Sequence, residues 1–522
     1  MLKNIFFIMT LIFIGICHSQ QITWSSPYDL SASGEDNKQA KLMVNENGTA
    51  VAIWIRSDGT HDRIQESHSS NGGATWSTPK FISDAGQNAD SPALAINNNV
   101  VIAVWTRYNS THYIIQEKHS TNGGIGWSTA QDLSLSGQNA SAPDIALNDI
   151  GKSVVVWTRY DGSDWVIQER HSADGGASWP NPPTQRSTGG QDSYIPKVAM
   201  NNSDETIVIW QRSDSTHNLI RECYSPNAGT NWIGPQVLST PGQNAAEAQV
   251  IINNNGVGIV VWKRNNGLYD VVQSIRSPDA GASWVALTDL SISTQDSYFP
   301  EIALNDNNNA VAIWTTYNGA NYILKRKYST DGGATWSAVY DLTPLGQSAQ
   351  KYPQIVMNNN DVVVPFWALN NGTNFIAQAA VSFDGGISWA PTQDLSAPGQ
   401  NTQSHQITMN NNRRDIIGIW RRSNGTNDII QEVHVITLSV SGNQFSKRSL
   451  FQNQIVNELL WDAEPAAIFY RVYANVALTD LIYEGTDLYH YDGVKKGQIK
   501  TYYIVWVDGS GNESSPAVVN IP

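Results

Sequence analysis

The chain reads as an all-β protein: an eight-bladed β-propeller closed by an N-terminal strand, followed by a small β-sandwich. Three observations predict this. A strand ending in Trp recurs at Trp54, Trp105, Trp157, Trp210, Trp262, Trp314, Trp367 and Trp420, at spacings of 51 to 53 residues. A second Trp follows each of the first seven, at Trp76, Trp127, Trp179, Trp232, Trp284, Trp336 and Trp389. The eighth unit runs through Asp428–Val435 and then loses the pattern, while a matching Trp-Ser…Asp-Leu-Ser stretch stands at Trp24–Ser31. A period near 52 residues means an array of like units, and a strand lent from one end to the other removes the exposed edges of such a ring.

Met1–Asn4 carries one Lys, and Ile5–Ile16 is a short apolar run, the length of a signal-peptide core. It is too short to span a membrane as a helix. Cleavage is expected after Ser19, making residues 1–19 a leader and the mature protein secreted or held in the cell envelope. A lipoprotein anchor at Cys17 is the rival, and Ile16 before it is larger than that site prefers. Residues 20–436 hold the repeats. In the third unit the four strands are expected near Pro143–Asn148, Ser153–Arg159, Trp165–His171 and Trp179–Gln185, divided by Asn-, Asp- and Gly-rich turns.

Composition excludes several classes. The net charge is −14 and only 15% of residues are charged, so no basic surface for DNA or RNA is expected. Apart from leader Cys17, only Cys223 is present, so no internal disulfide is available. Cys223 stands where other units carry Ser67, Lys118 or Arg170, and a tolerated surface or edge position is expected for it.

Ser69-Ser70-Asn71-Gly72-Gly73-Ala74-Thr75-Trp76 resembles the Asp-box, or BNR repeat, of the sialidase-like propellers. So do Ser172–Trp179, Ser329–Trp336 and Ser382–Trp389, with looser copies at Ser120–Trp127, Ser225–Trp232 and Ser277–Trp284. An Asp or Asn that bonds its own turn, beside a Gly that permits positive φ, suits a tight connection between the third and fourth strands. The resemblance implies a folding element on the face away from the ligand site. Residues 437–522 break the period. Leu460-Trp461, Phe469–Tyr473, Tyr502–Asp508 and Gly511-Asn512-Glu513 resemble a fibronectin type III domain, with Trp461 as core Trp and Tyr502 near the tyrosine corner.

Arg stands two residues past the strand Trp at Arg56, Arg107, Arg159, Arg212, Arg264 and Arg422. These are candidate ligand residues, because the resemblance implies an Arg clamp on a sugar carboxylate and guanidinium binds carboxylate in a fork. Glu stands twelve past the same Trp at Glu66, Glu117, Glu169, Glu222 and Glu432, and seven of eight units keep or lose both. That joint pattern predicts instead an ion pair within each hairpin. The resemblance also implies a Tyr nucleophile assisted by Glu, with an Asp acid/base. The family's Arg-Ile-Pro motif is absent, the first unit reading Gln39-Ala40-Lys41-Leu42 and the nearest approximations being Tyr194-Ile195-Pro196 and Tyr298-Phe299-Pro300. Catalytic residues are therefore unknown, the weak candidates being Asp90, Glu247, Tyr194 and Tyr298, with Glu301, Lys263 and Arg421 also singular.

Tyr108, Tyr160, Trp165, Tyr269, Tyr317 and Tyr322 are candidate stacking surfaces. His68, His119 and His171 share one repeat position too widely spaced for a metal site, and turns such as Asn305–Asn308 lack the spaced acids of a calcium loop. No metal and no cofactor is expected. The expected function is a non-catalytic module that binds glycans or a cell-surface protein. The alternatives are a glycoside hydrolase of exo-sialidase type with divergent residues, and a structural extracellular scaffold.

Overall fold

The structure, a computed structural model, describes residues 22–34, 36–344, 346–411, 415–423, 425–435, 440–448, 453–461, 467, 469–475, 477–494, 500–507, 513–514 and 516–521. The expected leader lies outside the described residues, as do Gly511 and Asn512. Two compact units divide at Ile436/Thr437.

Among the described residues the larger unit holds eight antiparallel sheets, seven of four strands and one of five. In the third repeat the strands are Ala140–Leu147, Ser153–Tyr160, Trp165–Ser172 and Thr184–Gln185, hydrogen-bonded in that order. The last is far shorter than expected. Pairing begins only at Thr184, and the outer strands of the second and sixth sheets, whose segments hold no Pro, are as short at Gln131–Asp132 and Tyr340–Asp341. Strand two is apolar throughout its centre, Val154 to Trp157 all being fully buried, because sheets pack on both of its faces. Trp105 packs with Val51, Ile53 and Ile55 of the preceding sheet. Trp54 does the same with Ile417, Ile419 and Ile430 of the last, so the array returns on itself.

The N-terminal segment supplies the outer strand of that last sheet: Tyr28–Asp29 pairs with Gln431 and Glu432, and Trp24 bridges Val435. A second seam is made of Asn side chains. Asn201 Nδ2 donates to Asn253 O at 3.0 Å, Asn253 Nδ2 to Asn305 O at 2.9 Å, and Asn305 Nδ2 to Asn358 O at 3.1 Å. Asn410 Nδ2 donates to Asn45 O at 3.4 Å, closing the circle over 365 residues. The Asn-rich turns thus serve as a ladder between sheets.

The expected Arg–Glu hairpin pair does not form, and strand parity gives the reason. Glu66 sits opposite Ile53 and Arg56 opposite Arg63. Side chains an odd number of positions apart point to opposite faces. The Glu reaches the next sheet instead: Glu66 accepts from Trp127 Nε1 at 3.4 Å, Glu117 from Trp179 at 3.3 Å and Glu222 from Trp284 at 3.0 Å. Where Arg326 replaces the Glu, its guanidinium lies 5.1 Å over the ring of Trp389, whose N–H turns to Gly386 O. His68, His119, His171 and His434 each set Nδ1 beside the Glu two residues earlier. Cys223 is buried among Val154, Val156, Val208 and Trp210 rather than on the surface, and burial pushes its thiol pKa up. Cys223 lies on the face of strand three that packs on the neighbouring sheet.

Glu222 yields a test. Burial pushes its carboxyl up to about 7 from an ordinary 4.5, against the hydrogen bonds of Gln236 and Trp284. Between those values the folded chain holds a proton that the unfolded chain releases, so stability falls as pH rises through 7. Glu222→Gln stays neutral and keeps an acceptor for Trp284. It is expected to match the parent in melting scans at pH 4 and to exceed it at pH 8 by about 1–3 kcal/mol. Parallel pH profiles would sink the assignment.

Among the described residues the smaller unit holds two sheets. One orders Val440–Arg448, Asn453–Trp461 and Tyr489–Val494. The other orders Leu481–Gly485, Phe469–Tyr473, Lys500–Val507 and Ala517–Ile521. Trp461 is buried, its ring 5.8 Å from Tyr470 and from Tyr483. Tyr502 is fully buried and donates its hydroxyl to Asp492 at 2.7 Å.

Candidate functional site: the bulged first strands of the sheets

The inner strand of each of the eight sheets carries one non-Gly residue at positive φ: Gln39, Ser91, Ala142, Ile195, Glu247, Phe299, Tyr352 and Ser404. In seven of these strands a register shift falls there, as between Lys38 and Lys41 or Tyr298 and Glu301. In the seventh sheet the strand is broken instead, into Ser348–Ala349 and Gln354–Met357. A bulge re-aims its side chains, and a left-handed backbone at a non-Gly residue costs about 1–3 kcal/mol. Its recurrence in every sheet marks this rim as the place where the repeats differ in chemistry while sharing a backbone.

Two residues deeper stand Lys41, Ala93, Asp144, Lys197, Gln249, Glu301, Gln354 and Gln406, each opposite the residue just before the strand Trp. Lys41, Asp144, Lys197 and Gln406 line a cavity of about 310 Å³ with Gln39 and Ile195. Burial pushes Glu301 up to about 7, opposed by Lys197 and Lys41. Of this ring the sequence singled out Glu301 alone. The signal that finds the rest is the position thirteen before the strand Trp, read unit by unit, as in Lys41, Asp144, Lys197 and Glu301.

The Arg candidates are partners of their own loops. Arg107, Arg264 and Arg422 donate to Gln87, Gln243 and Gln400 of the loop entering the sheet, and to Asp132, Asp289 and Asp29 of the outer strand. Arg56 donates to Ala32 O at 2.7 Å and Arg212 to Thr188. Arg159 is half-buried beside Asp161, its outer-strand position being Gln185 instead of Asp.

The aromatic candidates form two clusters. Tyr108 lies opposite Tyr113, Tyr160 opposite Trp165 and Tyr317 opposite Tyr322, ring centroids 5.0, 5.4 and 5.1 Å apart. Trp165 also approaches Tyr194 at 6.3 Å. It lines a groove of about 360 Å³ with Asp90, Tyr113, Asn139 and Ser141. In the second cluster Phe299 and Tyr352 stand 4.1 Å apart, and Tyr298 lies 6.1 Å from Phe299 and 6.4 Å from Tyr322. Lys351 Nζ lies 5.1 to 5.8 Å over Tyr298, Phe299 and Tyr322, and Tyr352 is 64% exposed. Tyr269 is exposed in its own hairpin turn.

The catalytic candidates divide between these clusters. Asp90 and Tyr194 accompany Trp165. Glu247 lies 3.1 Å from Lys263, which lies 5.1 Å over Tyr298 and 3.2 Å from Asp270. Arg421 pairs with Asp428 at 3.3 Å. Burial, together with Asp192, pushes the Tyr194 phenol up to about 12; burial and Asp296 do the same to Tyr298. Among the described residues no three His, Cys, Asp or Glu side chains gather as a metal set, and no helix is long and apolar enough to cross a membrane.

A repeat of known type is present in this frame. The model of the BNR/Asp-box repeat matches residues 327–338. The sixth unit carries an Asp-box. Its Ser329 Oγ donates to Asp331 at 2.7 Å, and the Gly333 and Thr335 N–H groups donate to Ser329 Oγ and Asp331 at 2.8 Å each. The first unit repeats the arrangement with Asn71 in place of the Asp. In the Asp-box of the seventh unit a Cβ on Gly386 would stand 2.5 Å from Val311 Cγ2, so Gly there permits the sheets to approach.

No curated protein matches the chain. Among solved structures the chain is similar to a PL25 ulvan lyase bound to -[GlcA(1-4)Rha3S]-, with TM-score 0.44 and 13% identity, over 67% of this chain and 92% of that one. It is similar to the GH93 alpha-L-arabinofuranosidase of Fusarium graminearum, with TM-score 0.38 and 13% identity, over 58% and 95%. It is also similar to the NanB sialidase from Streptococcus pneumoniae, with TM-score 0.34 and 14% identity, over 80% and 70%.

Proposed function

We propose that the protein is an exported, eight-bladed Asp-box propeller that binds glycans without turning them over. Its C-terminal fibronectin type III-like sandwich serves as spacer or second contact. The observation that carries the reading is the cluster of Tyr298, Phe299, Tyr322 and Tyr352 around Lys351 at the rim. Aromatic faces take the apolar face of a sugar ring while their polar tips and a nearby ammonium take its oxygens. The groove at Trp165 offers a second surface of the same kind, and two weak sites on one body raise avidity.

Turnover is disfavoured by chemistry. The Arg clamp that the resemblance implies is not brought to Tyr194 or Tyr298, because Arg107, Arg264 and Arg422 bond the Gln and Asp of their own sheets. The candidate acids also stand in separate clusters. The test is retention of the full chain on a panel of sialylated, uronate-bearing and neutral oligosaccharides, followed by mass spectrometry of the glycan. Retention without loss of mass is expected, weakened about ten-fold by Tyr352→Ala. Release of sialic acid would favour the exo-sialidase alternative, and no retention at all would favour the scaffold.

A further inference from the structure

We propose that the central cavity is an anion site in which Lys41 and Lys197 together hold a carboxylate or sulfate group. The two lysines come from the inner strands of the first and fourth sheets and line the same cavity of about 310 Å³. Neither ammonium has a hydrogen bond or ion pair among the described residues. Among the described residues Lys38, Lys80, Lys118, Lys152, Lys263, Lys325 and Lys500 pair with carboxylates within 3.3 Å, whereas Lys351 meets only aromatic rings and Lys327 forms no ion pair.

The carboxylates of the same ring act on Lys41 without an ion pair and accept their hydrogen bonds from other groups. Asp144 accepts the Val198 N–H at 3.0 Å, and Glu301 accepts the side-chain amides of Gln249 at 2.9 Å and Gln354 at 3.2 Å. Burial and the charge of Lys197 both lower the pKa of Lys41, opposed by Asp144 and Glu301. Partly desolvated cations that repel one another are costly unless a counter-charge joins them. An oxyanion between the two ammoniums removes that cost. Gln39 adds a donor, since its Oε1 accepts the Ser91 N–H at 3.0 Å and leaves its NH₂ free to give. The cavity, whose wall also carries the Asp144 carboxylate, lies at the lower end of ligand-pocket size.

This inference stands apart from the glycan reading, because the probes are bare anions. Isothermal titration calorimetry of the full chain with sodium sulfate, and separately with sodium acetate, is expected to give saturable one-to-one heat. Saturation by sulfate alone or acetate alone identifies which oxyanion the site takes. In Lys41→Met and Lys197→Met affinity is expected to fall at least about ten-fold, while both variants melt higher than the parent without added anion. No saturable heat with either salt, or undiminished affinity in both variants, overturns the proposal. Should the variants fail to fold, crystals of the parent soaked in bromide decide it. An anomalous peak between the two ammoniums supports the site, and an empty cavity overturns it.

Discussion

Deleting the segment through Ser31 is expected to lower stability by at least about 5 kcal/mol, a fall of about 5–10 °C in melting temperature. The segment is tied to the last sheet at every level. Ser25 and Leu30 donate backbone N–H groups to His434 O and Ile430 O, both at 2.8 Å. Ser31 Oγ accepts the Ile430 N–H at 2.9 Å, and Asp29 accepts from Gln431 at 2.8 Å and Arg422 at 3.1 Å. Leu30 is 3% exposed in the cluster around Trp54. Without these contacts Asp428–His434 becomes an open edge, a template for pairing with other chains. Calorimetry with light scattering would read both effects. A melting temperature within 2 °C of the parent (about 1 kcal/mol for a chain of this size) and no aggregation would show that the seam does not depend on this strand.

Replacing one strand Trp is the second large effect. Trp210 is fully buried and packs with Val154, Val156 and Ile167 of the preceding sheet as well as with Val208 and Cys223 of its own. Trp210→Ala removes the ring from two sheets at once and is expected to cost about 3–5 kcal/mol. Trp336→Ala, at a half-buried Asp-box ring against Val257, Ile259 and Leu304, is expected to cost less than about 3 kcal/mol. Urea midpoints of the two variants, measured together, test the order. Equal losses would mean that the inner Trp and the Asp-box Trp carry the same load.

Architecture was legible because burial on two faces forces an unbroken apolar run, so VVVW at Val154–Trp157 and its counterparts stood out against polar turns. The lent strand at Tyr28–Asp29 was legible for the same reason: its partner sequence was missing elsewhere. The Arg–Glu pairing misled because residues that vary together along a sequence say nothing about which side of a strand each occupies. Glu66 and Arg56 belong to different faces, and Glu66 instead meets Lys80 at 3.0 Å and, 61 residues away, the Trp127 N–H at 3.4 Å. The charged ring of Lys41, Asp144, Lys197 and Glu301 escaped notice because it differs from unit to unit, whereas repeats are recognised by what they share. The turn between the inner strand and the Trp strand also varies by one residue in length, so that Ala93 and Gln406 fall one residue out of step.

The Asn ladder and the lent strand have a bearing on how the chain is made. Bonds such as Asn253 to Asn305 join residues 52 apart and are available as soon as two neighbouring units exist. Those from Asn410 to Asn45 and from Ile430 to Ser31 span 365 and 399 residues. During synthesis from the N-terminus the molecule is therefore an arc for nearly its whole history. Its first sheet holds the Trp54 face open until Ile417, Ile419 and Ile430 arrive. Assembly is local and successive, but completion is a single late event, a clasp fastened by the oldest and the newest parts of the ring.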